Sequence, residues 1–149
     1  MKASQQLLKF IESWEGCKLT VYNDAGGRPT IGIGHLLMPG ESHDPITEAQ
    51  ALAMLGTDIR VAETAVNHAV HAALTQNQTD ALISLCYNIG QGNFAKSQCL
   101  KDVNLGNFDN AGDDFLNWNH VNGQVSQGLT NRREAERDMF LNGVYGNHI

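Results

Sequence analysis

Apolar residues recur every three or four positions in several stretches of the chain, and this spacing predicts amphipathic helices. The first stretch covers residues 4–14, with Ser4 as a candidate N-cap, and Gly16 ends it. A longer stretch begins with a capping-box pattern and extends over about 47–73, and a second capping box opens a stretch over 75–89. Shorter helical stretches follow at 97–104, 108–119 and 130–141.

The segment between the first two helical stretches has a different pattern. Residues 17–35 are rich in Thr, Val, Tyr, Ile and Gly, and a turn cluster at 23–27 separates two β-like runs, which predicts a small antiparallel sheet. We therefore expect one α+β domain over residues 1–149. It would contain a sheet lobe at about 15–46, a long linking helix at about 47–73, and a helical lobe at about 74–149 that includes the N-terminal helix.

Composition and charge narrow the possible functions. The formal net charge of −6 argues against nucleic acid as the main partner, because binding to phosphates needs an excess of Lys and Arg. Three cysteines without CxxC spacing predict neither a disulfide framework nor a zinc site, so we expect no metal and no cofactor. The N-terminal residues contain no apolar stretch long enough for a signal peptide. We therefore expect synthesis in the cytoplasm and no membrane anchor.

Three polar residues near the start of the chain could together hydrolyse a glycosidic bond. Glu15 ends the first helix directly after Trp14, Asp24 lies in the predicted hairpin turn, and Thr30 starts the next strand. A carboxylic acid, a second carboxylate and a hydroxyl that holds water are the minimum set for this reaction. Each residue also has an ordinary structural interpretation, as a solvated helix end, a turn former and a β-branched strand residue. Spacing alone leaves both interpretations open.

The pattern around these three residues is much more specific than any one of them. It reads Glu15-Gly16-x-x-Leu19-x-x-Tyr22-x-Asp24-x-x-Gly27-x-x-Thr30-Ile31-Gly32-Ile33-Gly34-His35. This segment resembles the signature of the phage-type lysozymes, glycoside hydrolase family 24, and the resemblance continues through residues 75–90, 115–118 and 128–136. It implies a lysozyme-like α+β fold with a small sheet lobe and a larger helical lobe joined by a long helix.

The resemblance also implies a reaction and a role for each residue of the triad. The family hydrolyses the β-1,4 bond between N-acetylmuramic acid and N-acetylglucosamine in bacterial peptidoglycan, with inversion at the anomeric carbon. By this resemblance Glu15 is the general acid, Asp24 is the base or electrostatic partner, and Thr30 orients the attacking water.

Further positions carry over from the family to this chain. The resemblance implies sugar contacts at Leu36, Tyr87 and Ser97, and at Asp114, where a relative has Asn. It also implies two supporting pairs. Arg132 is expected to contact Glu15, and His35 is expected to form an ion pair with Asp58 that raises the pKa of His35.

The function implied by the resemblance is that of an endolysin, a bacteriolytic lysozyme that degrades the cell wall and lyses the host cell. We expect a monomer that is made in the host cytoplasm and reaches the wall through a holin or through a tail or secretion apparatus. Two alternatives remain open. A lytic transglycosylase needs one acid and no carboxylate that activates water, and Asp24 and Thr30 argue against it. The other alternative is a catalytically silent wall-binding or tail-structural module.

Overall fold

The computed structural model of the chain describes residues 1–41 and 45–148, so residues 42–44 of the predicted sheet lobe lie outside the described residues. The described chain contains helices and short strands. They are α1 (Gln5–Glu15), β1 (Lys18–Asn23), β2 (Pro29–Gly32), β3 (His35–Leu36), α2 (Glu48–Asp58), α3 (Arg60–Ala69), α4 (Gln76–Ile89), α5 (Gln91–Lys96), α6 (Gln98–Asn104), α7 (Phe108–Asp114), β4 (His120–Val121), β5 (Gln124–Val125) and α8 (Gln127–Asn142).

Helix α1 has the start and the end that the sequence predicts. The Ser4 hydroxyl accepts a hydrogen bond from the Leu7 N–H, and Gly16 ends the helix with a φ of 79°. Phe10 and Ile11 on its inner face are fully buried, and each such side chain contributes about 1.5–3 kcal/mol through removal of apolar surface from water. This anchoring fixes the direction in which the end of the helix points.

The sheet lobe is a three-stranded antiparallel sheet in the order β1-β2-β3, as the sequence predicts. Thr30 on β2 lies opposite Tyr22 on β1 and opposite Leu36 on β3. The pairing of β1 with β2 is irregular between Lys18 and Tyr22. The inner side of β2 is buried, so the strand joins this small sheet to the core.

The prediction of one continuous linking helix over about 47–73 is wrong, because the helix is interrupted and ends earlier. The structure has two helices, α2 and α3, which meet at Ile59 with a backbone ψ of −12°, and α3 ends at Ala69. The physical reason is that the two halves pack on different partners, α2 against β2 and α3 against α4. The apolar spacing runs through Ile59 without interruption, so the pattern in the sequence hides the bend.

Helix α4 lies at the centre of the helical lobe. Its capping box is formed by Thr75 and Gln78, as the sequence predicts, and such a cap contributes about 1 kcal/mol. Every residue from Thr79 to Cys86 is buried, because α1, α3, α5 and α8 cover the helix. Gly90 ends it with a φ of 91°.

The second half of the chain departs from the predicted helices in three places. The expected helix over 108–119 stops at Asp114 and continues as a short 3₁₀ turn. The last helix begins at Gln127 because Ser126 caps it, and a small hairpin of β4 and β5 precedes it. The structure also has α5, which the sequence analysis missed because six residues are too few for a periodic pattern.

Buried apolar residues form one connected core that includes both lobes. Ile31 and Ile33 enter it from the sheet lobe, and Leu82, Phe94 and Phe115 enter it from the helical lobe. The described helices include none with the length and apolar content that crossing a membrane requires. The α+β fold class predicted from the sequence is confirmed.

Candidate active site

An open groove of about 360 Å³ lies between the sheet lobe and the helical lobe. Its walls come from the end of α1, from the three strands and from the end of α4. The lining residues are Glu15, Tyr22, Asp24, Arg28, Thr30, Gly34, Leu36, Tyr87 and Asn88. The three residues of the predicted triad therefore line the same groove.

Glu15 enters the groove as the last residue of α1. Its Oε1 atom lies 2.7 Å from Arg132 Nη1, and Arg132 comes from the first half of α8. The Glu15 side chain is 28% exposed and the Arg132 side chain 6%, so a buried guanidinium holds a carboxyl group that solvent can reach. Gly34 lies on the other side, where its φ of 70° disfavours a side chain near the Glu15 carboxyl group.

Asp24 closes the β1–β2 hairpin with its own carboxyl group. Oδ1 accepts hydrogen bonds from the N–H groups of Gly26 and Arg28, at 2.9 and 2.8 Å. Oδ2 accepts a hydrogen bond from Arg28 Nε at 3.0 Å. The backbone hydrogen bond from Arg28, together with the guanidinium and the Gly26 N–H, lowers the pKa of Asp24 despite its partial desolvation. This geometry keeps Asp24 ionised.

Thr30 presents an oxygen with spare acceptor capacity. Its side chain is almost completely buried, and its hydroxyl donates to the Arg28 carbonyl oxygen at 2.9 Å. With the proton directed at that carbonyl, the lone pairs of Oγ1 can accept a hydrogen bond from a water molecule. Tyr22 lies beside this strand. Its burial, followed by the charges of Glu15 and Asp24, raises the pKa of the Tyr22 hydroxyl.

Two of the four predicted sugar contacts lie in the groove. Leu36 is 39% exposed there, and Tyr87 forms part of the opposite wall at the end of α4. Burial, together with the nearby charges of Asp58 and Glu15, raises the pKa of the Tyr87 hydroxyl to about 12. The hydroxyl therefore stays protonated at neutral pH and can donate a hydrogen bond.

The structure does not bring Ser97 and Asp114 to this groove. Ser97 is 2% exposed and caps α6, with its hydroxyl donating to the Phe94 carbonyl and accepting from the Leu100 N–H. These bonds engage the Ser97 hydroxyl in the helix cap, and the sugar contact at Ser97 stays a prediction. The Asp114 carboxyl group shares a hydrogen bond with Asp102, and burial together with Asp102 raises the pKa of Asp114 to about 6.

His35 joins the sheet lobe to the bend between α2 and α3, and its predicted contact with Asp58 is present. Nδ1 lies 2.7 Å from Asp58 Oδ2, and Nε2 lies 3.1 Å from Glu41 Oε2. Burial of the ring lowers its pKa, but hydrogen bonds and charges from Asp58 and Glu41 outweigh this effect, so the pKa of His35 is raised above 6.5. No pattern in the sequence marks Glu41 as a partner of His35.

Replacement of His35 by Asn is expected to change the pH dependence of stability. Because the pKa of His35 is raised on folding, its contribution is present in full below the pKa of the unfolded chain. It is lost as the pH rises through the higher pKa of the folded state. Hydrogen bonds to charged groups contribute about 1.5–3 kcal/mol, so the loss should approach that size near pH 5.5 and shrink toward pH 8.5.

Urea unfolding, monitored by circular dichroism at several pH values, measures the difference in the free energy of unfolding between wild type and His35→Asn. His68 is an exposed histidine on α3, so His68→Asn is the matched control and should leave the pH profile of the free energy of unfolding unchanged. Parallel profiles for wild type and His35→Asn would contradict the prediction.

Residues that the sequence analysis missed also line or adjoin the groove. Arg28 could have been recognised from its position four residues after Asp24 in the same turn. Asn88 lies at the end of α4, within the stretch 75–90 that resembles the family, but the sequence assigns no role to it. It also lines a neighbouring cavity of about 440 Å³ that includes Asn93, Trp118 and His120. Within residues 1–41 and 45–148, no cluster of His, Cys, Asp or Glu has the composition of a metal site.

Comparisons with known proteins give the family of this chain. Residues 12–136 match the phage lysozyme family. The endolysin of Salmonella phage P22 is 38% identical over 145 residues, which cover 95% of this chain and 99% of that protein. The endolysin of Bacillus phage PZA is 38% identical over 146 residues, which cover 97% of this chain, and the chain spans 57% of that relative's length.

A solved structure agrees with the sequence comparisons. The endolysin from Escherichia coli O157:H7 phage FAHEc1 matches with a TM-score of 0.91 and 37% identity, covering 99% of this chain and 98% of that one. The lysozyme-like fold that the sequence implied is therefore confirmed. With a family match over most of its length and relatives close to 40% identity, the chain belongs to the phage lysozyme family.

Proposed function

We propose that the chain is a muramidase of the endolysin type. It hydrolyses the β-1,4 bond between N-acetylmuramic acid and N-acetylglucosamine in bacterial peptidoglycan and inverts the anomeric carbon. The observation that carries this proposal is that Glu15, Asp24 and Thr30 line one open groove between two lobes. The relatives named as endolysins support the same substrate.

In the proposed reaction Glu15 is the general acid. Its carboxyl proton passes to the glycosidic oxygen as the bond from that oxygen to C1 of the muramic acid breaks. The N-acetylglucosamine leaves with a free 4-hydroxyl group. The contact with Arg132 fixes the orientation of the Glu15 carboxyl group, and this matters because an acid must lie within hydrogen-bond reach of the oxygen it protonates.

Asp24 and Thr30 act on the water that completes the hydrolysis. The water attacks C1 from the face opposite the leaving group and passes a proton to the Asp24 carboxylate, and its oxygen becomes the new anomeric hydroxyl. Thr30 Oγ1 holds this water by accepting a hydrogen bond from it. The ionised Asp24 faces the positive charge that develops on the sugar ring and stabilises it, consistent with its lowered pKa.

The stereochemistry of the fresh product tests the proposed reaction. Purified peptidoglycan is digested inside the NMR tube, and the anomeric signals of the new reducing ends are followed before they mutarotate. We expect the α anomer first, because inversion of a β bond gives α. A β anomer first would mean retention. Anhydro ends, visible by mass spectrometry, would mean a lytic transglycosylase and would contradict hydrolysis.

The remaining features of an endolysin are part of the same proposal. The enzyme acts as a monomeric single domain with a sheet lobe, a linking segment and a helical lobe. It is made in the host cytoplasm, and a holin or a tail or secretion apparatus gives it access to the wall. Its net charge of −6 supports dependence on such a partner, because an acidic protein gains no electrostatic steering toward an anionic wall.

A further inference from the structure

The segment after α8 runs back along the first helix. Gly143 turns the chain with a φ of 71°. Residues 145–148, which we call the strap, then contact the last turn of α1 directly and reach its N-cap through Asp80. The strap is not part of the groove, and the family signature in the sequence does not extend to it.

The strap holds the last turn of α1 by three contacts. Trp14 Nε1 donates a hydrogen bond to the Gly146 carbonyl at 3.3 Å, and the His148 N–H donates to Ser13 Oγ at 3.0 Å. The His148 ring stacks on the Trp14 indole, with centroids 4.6 Å apart and planes 25° apart. Ser13 and Trp14 are the two residues directly before Glu15.

The strap is itself anchored to rigid parts of the fold. The Tyr145 hydroxyl donates to Asp80 Oδ2 at 2.5 Å, and the buried Asp80 also accepts the Ser4 N–H at the N-cap of α1. Gly146 faces α8, where a methyl group in place of its hydrogen would come within 4.0 Å of Ala135 Cβ. Ala135 lies three residues after Arg132, so it belongs to the next turn of the helix that supplies the partner of Glu15.

We propose that the strap is a positioning element for the catalytic acid, an inference that rests on the proposed function of Glu15. It joins the end of α1 to α8, which are the two elements whose side chains meet in the Glu15–Arg132 contact. Helix ends fray, so the last turn of α1 needs outside support to keep Glu15 in place. A displacement of a catalytic group by about 1 Å can cost up to about 100-fold in rate.

Two substitutions remove separate contacts of the strap. His148→Ala removes the stacked ring, and Trp14→Phe keeps an aromatic ring but removes the indole N–H. Asn147 is exposed on the same segment, so Asn147→Ala is the matched control. His148→Phe restores a stacking ring and serves as the rescue variant. His148 is itself exposed, so its substitution leaves the core intact and the enzyme folded.

The experiment measures kcat and KM separately for the release of reducing ends from soluble peptidoglycan fragments. Assays are run well below the unfolding midpoint of each variant. For His148→Ala and Trp14→Phe we expect kcat to fall by about three- to tenfold while KM stays within about twofold, because the strap orients the acid without touching the glycan. Asn147→Ala should match wild type, and His148→Phe should recover most of kcat.

A double-mutant cycle with Arg132→Gln tests whether the strap acts through the Glu15–Arg132 contact. We expect the effects of His148→Ala and Arg132→Gln on kcat to be non-additive. Each substitution alone displaces the Glu15 carboxyl group, so the second one adds little further loss. Unchanged kcat in both His148→Ala and Trp14→Phe would overturn the proposal, and so would strictly additive effects in the double-mutant cycle. Failure of the proposed function looks different, since wild type itself would then release no reducing ends.

Discussion

Glu15→Gln is expected to lower kcat by about 10²–10⁴-fold, the contribution that a positioned general acid makes. Glutamine has the same shape and can still accept a hydrogen bond from Arg132 Nη1, so the groove and the fold should be preserved. It has no proton acidic enough to assist departure of the sugar oxygen. Release of reducing ends from purified peptidoglycan measures the loss, and circular dichroism verifies folding.

Glu134→Gln is the matched control for this result. Glu134 is an exposed residue on α8, outside the groove, and its substitution makes the same chemical change. Full activity in Glu134→Gln beside a nearly inactive Glu15→Gln would assign the loss to the position of the carboxyl group. Comparable activity of Glu15→Gln and wild type would contradict the role of Glu15 as the acid.

Glu136→Gln is expected to lower the free energy of unfolding by about 3–5 kcal/mol, the cost of leaving a buried charge without its partner. Glu136 and Arg133 are fully buried on α8, and Glu136 Oε1 lies 3.1 Å from Arg133 Nε. Burial lowers the pKa of Arg133, and the charge of Glu136 is the main effect that opposes this. Ser84 on α4 also donates a short hydrogen bond to Glu136.

The control for this substitution lies one residue further along α8. Arg137 pairs with Asp113 at 2.7 Å on the surface, where both side chains are largely exposed. Arg137→Gln should therefore cost less than about 1 kcal/mol, as exposed ion pairs do. Urea unfolding measured by circular dichroism compares the two variants. Equal losses in the two variants would show that burial of the Glu136 pair adds nothing to stability.

The sequence predicted the features that depend on local patterns. The caps at Ser4 and Thr75 and the turn that carries Asp24 follow from neighbouring residues alone, and the structure contains each of them. The bend at Ile59 was hidden, because it depends on which distant element each half of the segment packs against. Glu41 was missed as a partner of His35 for a similar reason, since no spacing rule links a loop carboxylate to a strand imidazole.

The four predicted sugar-contact residues have different surroundings in the structure. Leu36 and Tyr87 line the groove, but Ser97 directs its hydroxyl to its own helix cap and Asp114 pairs with Asp102. A resemblance between sequences carries over the place of a residue in the chain. The direction of a side chain depends on its neighbours, and a carboxyl group at 114 finds another carboxyl group beside it.

The two interpretations of Asp24 that the sequence left open turn out to be compatible. The same carboxylate closes the hairpin through Gly26 and Arg28 and faces the groove. An exchange at this position therefore alters the shape of the loop as well as its chemistry. Under the proposed role in hydrolysis such a residue is constrained twice over evolutionary time, so the other loop positions of the hairpin should tolerate sequence drift far better than Asp24 itself.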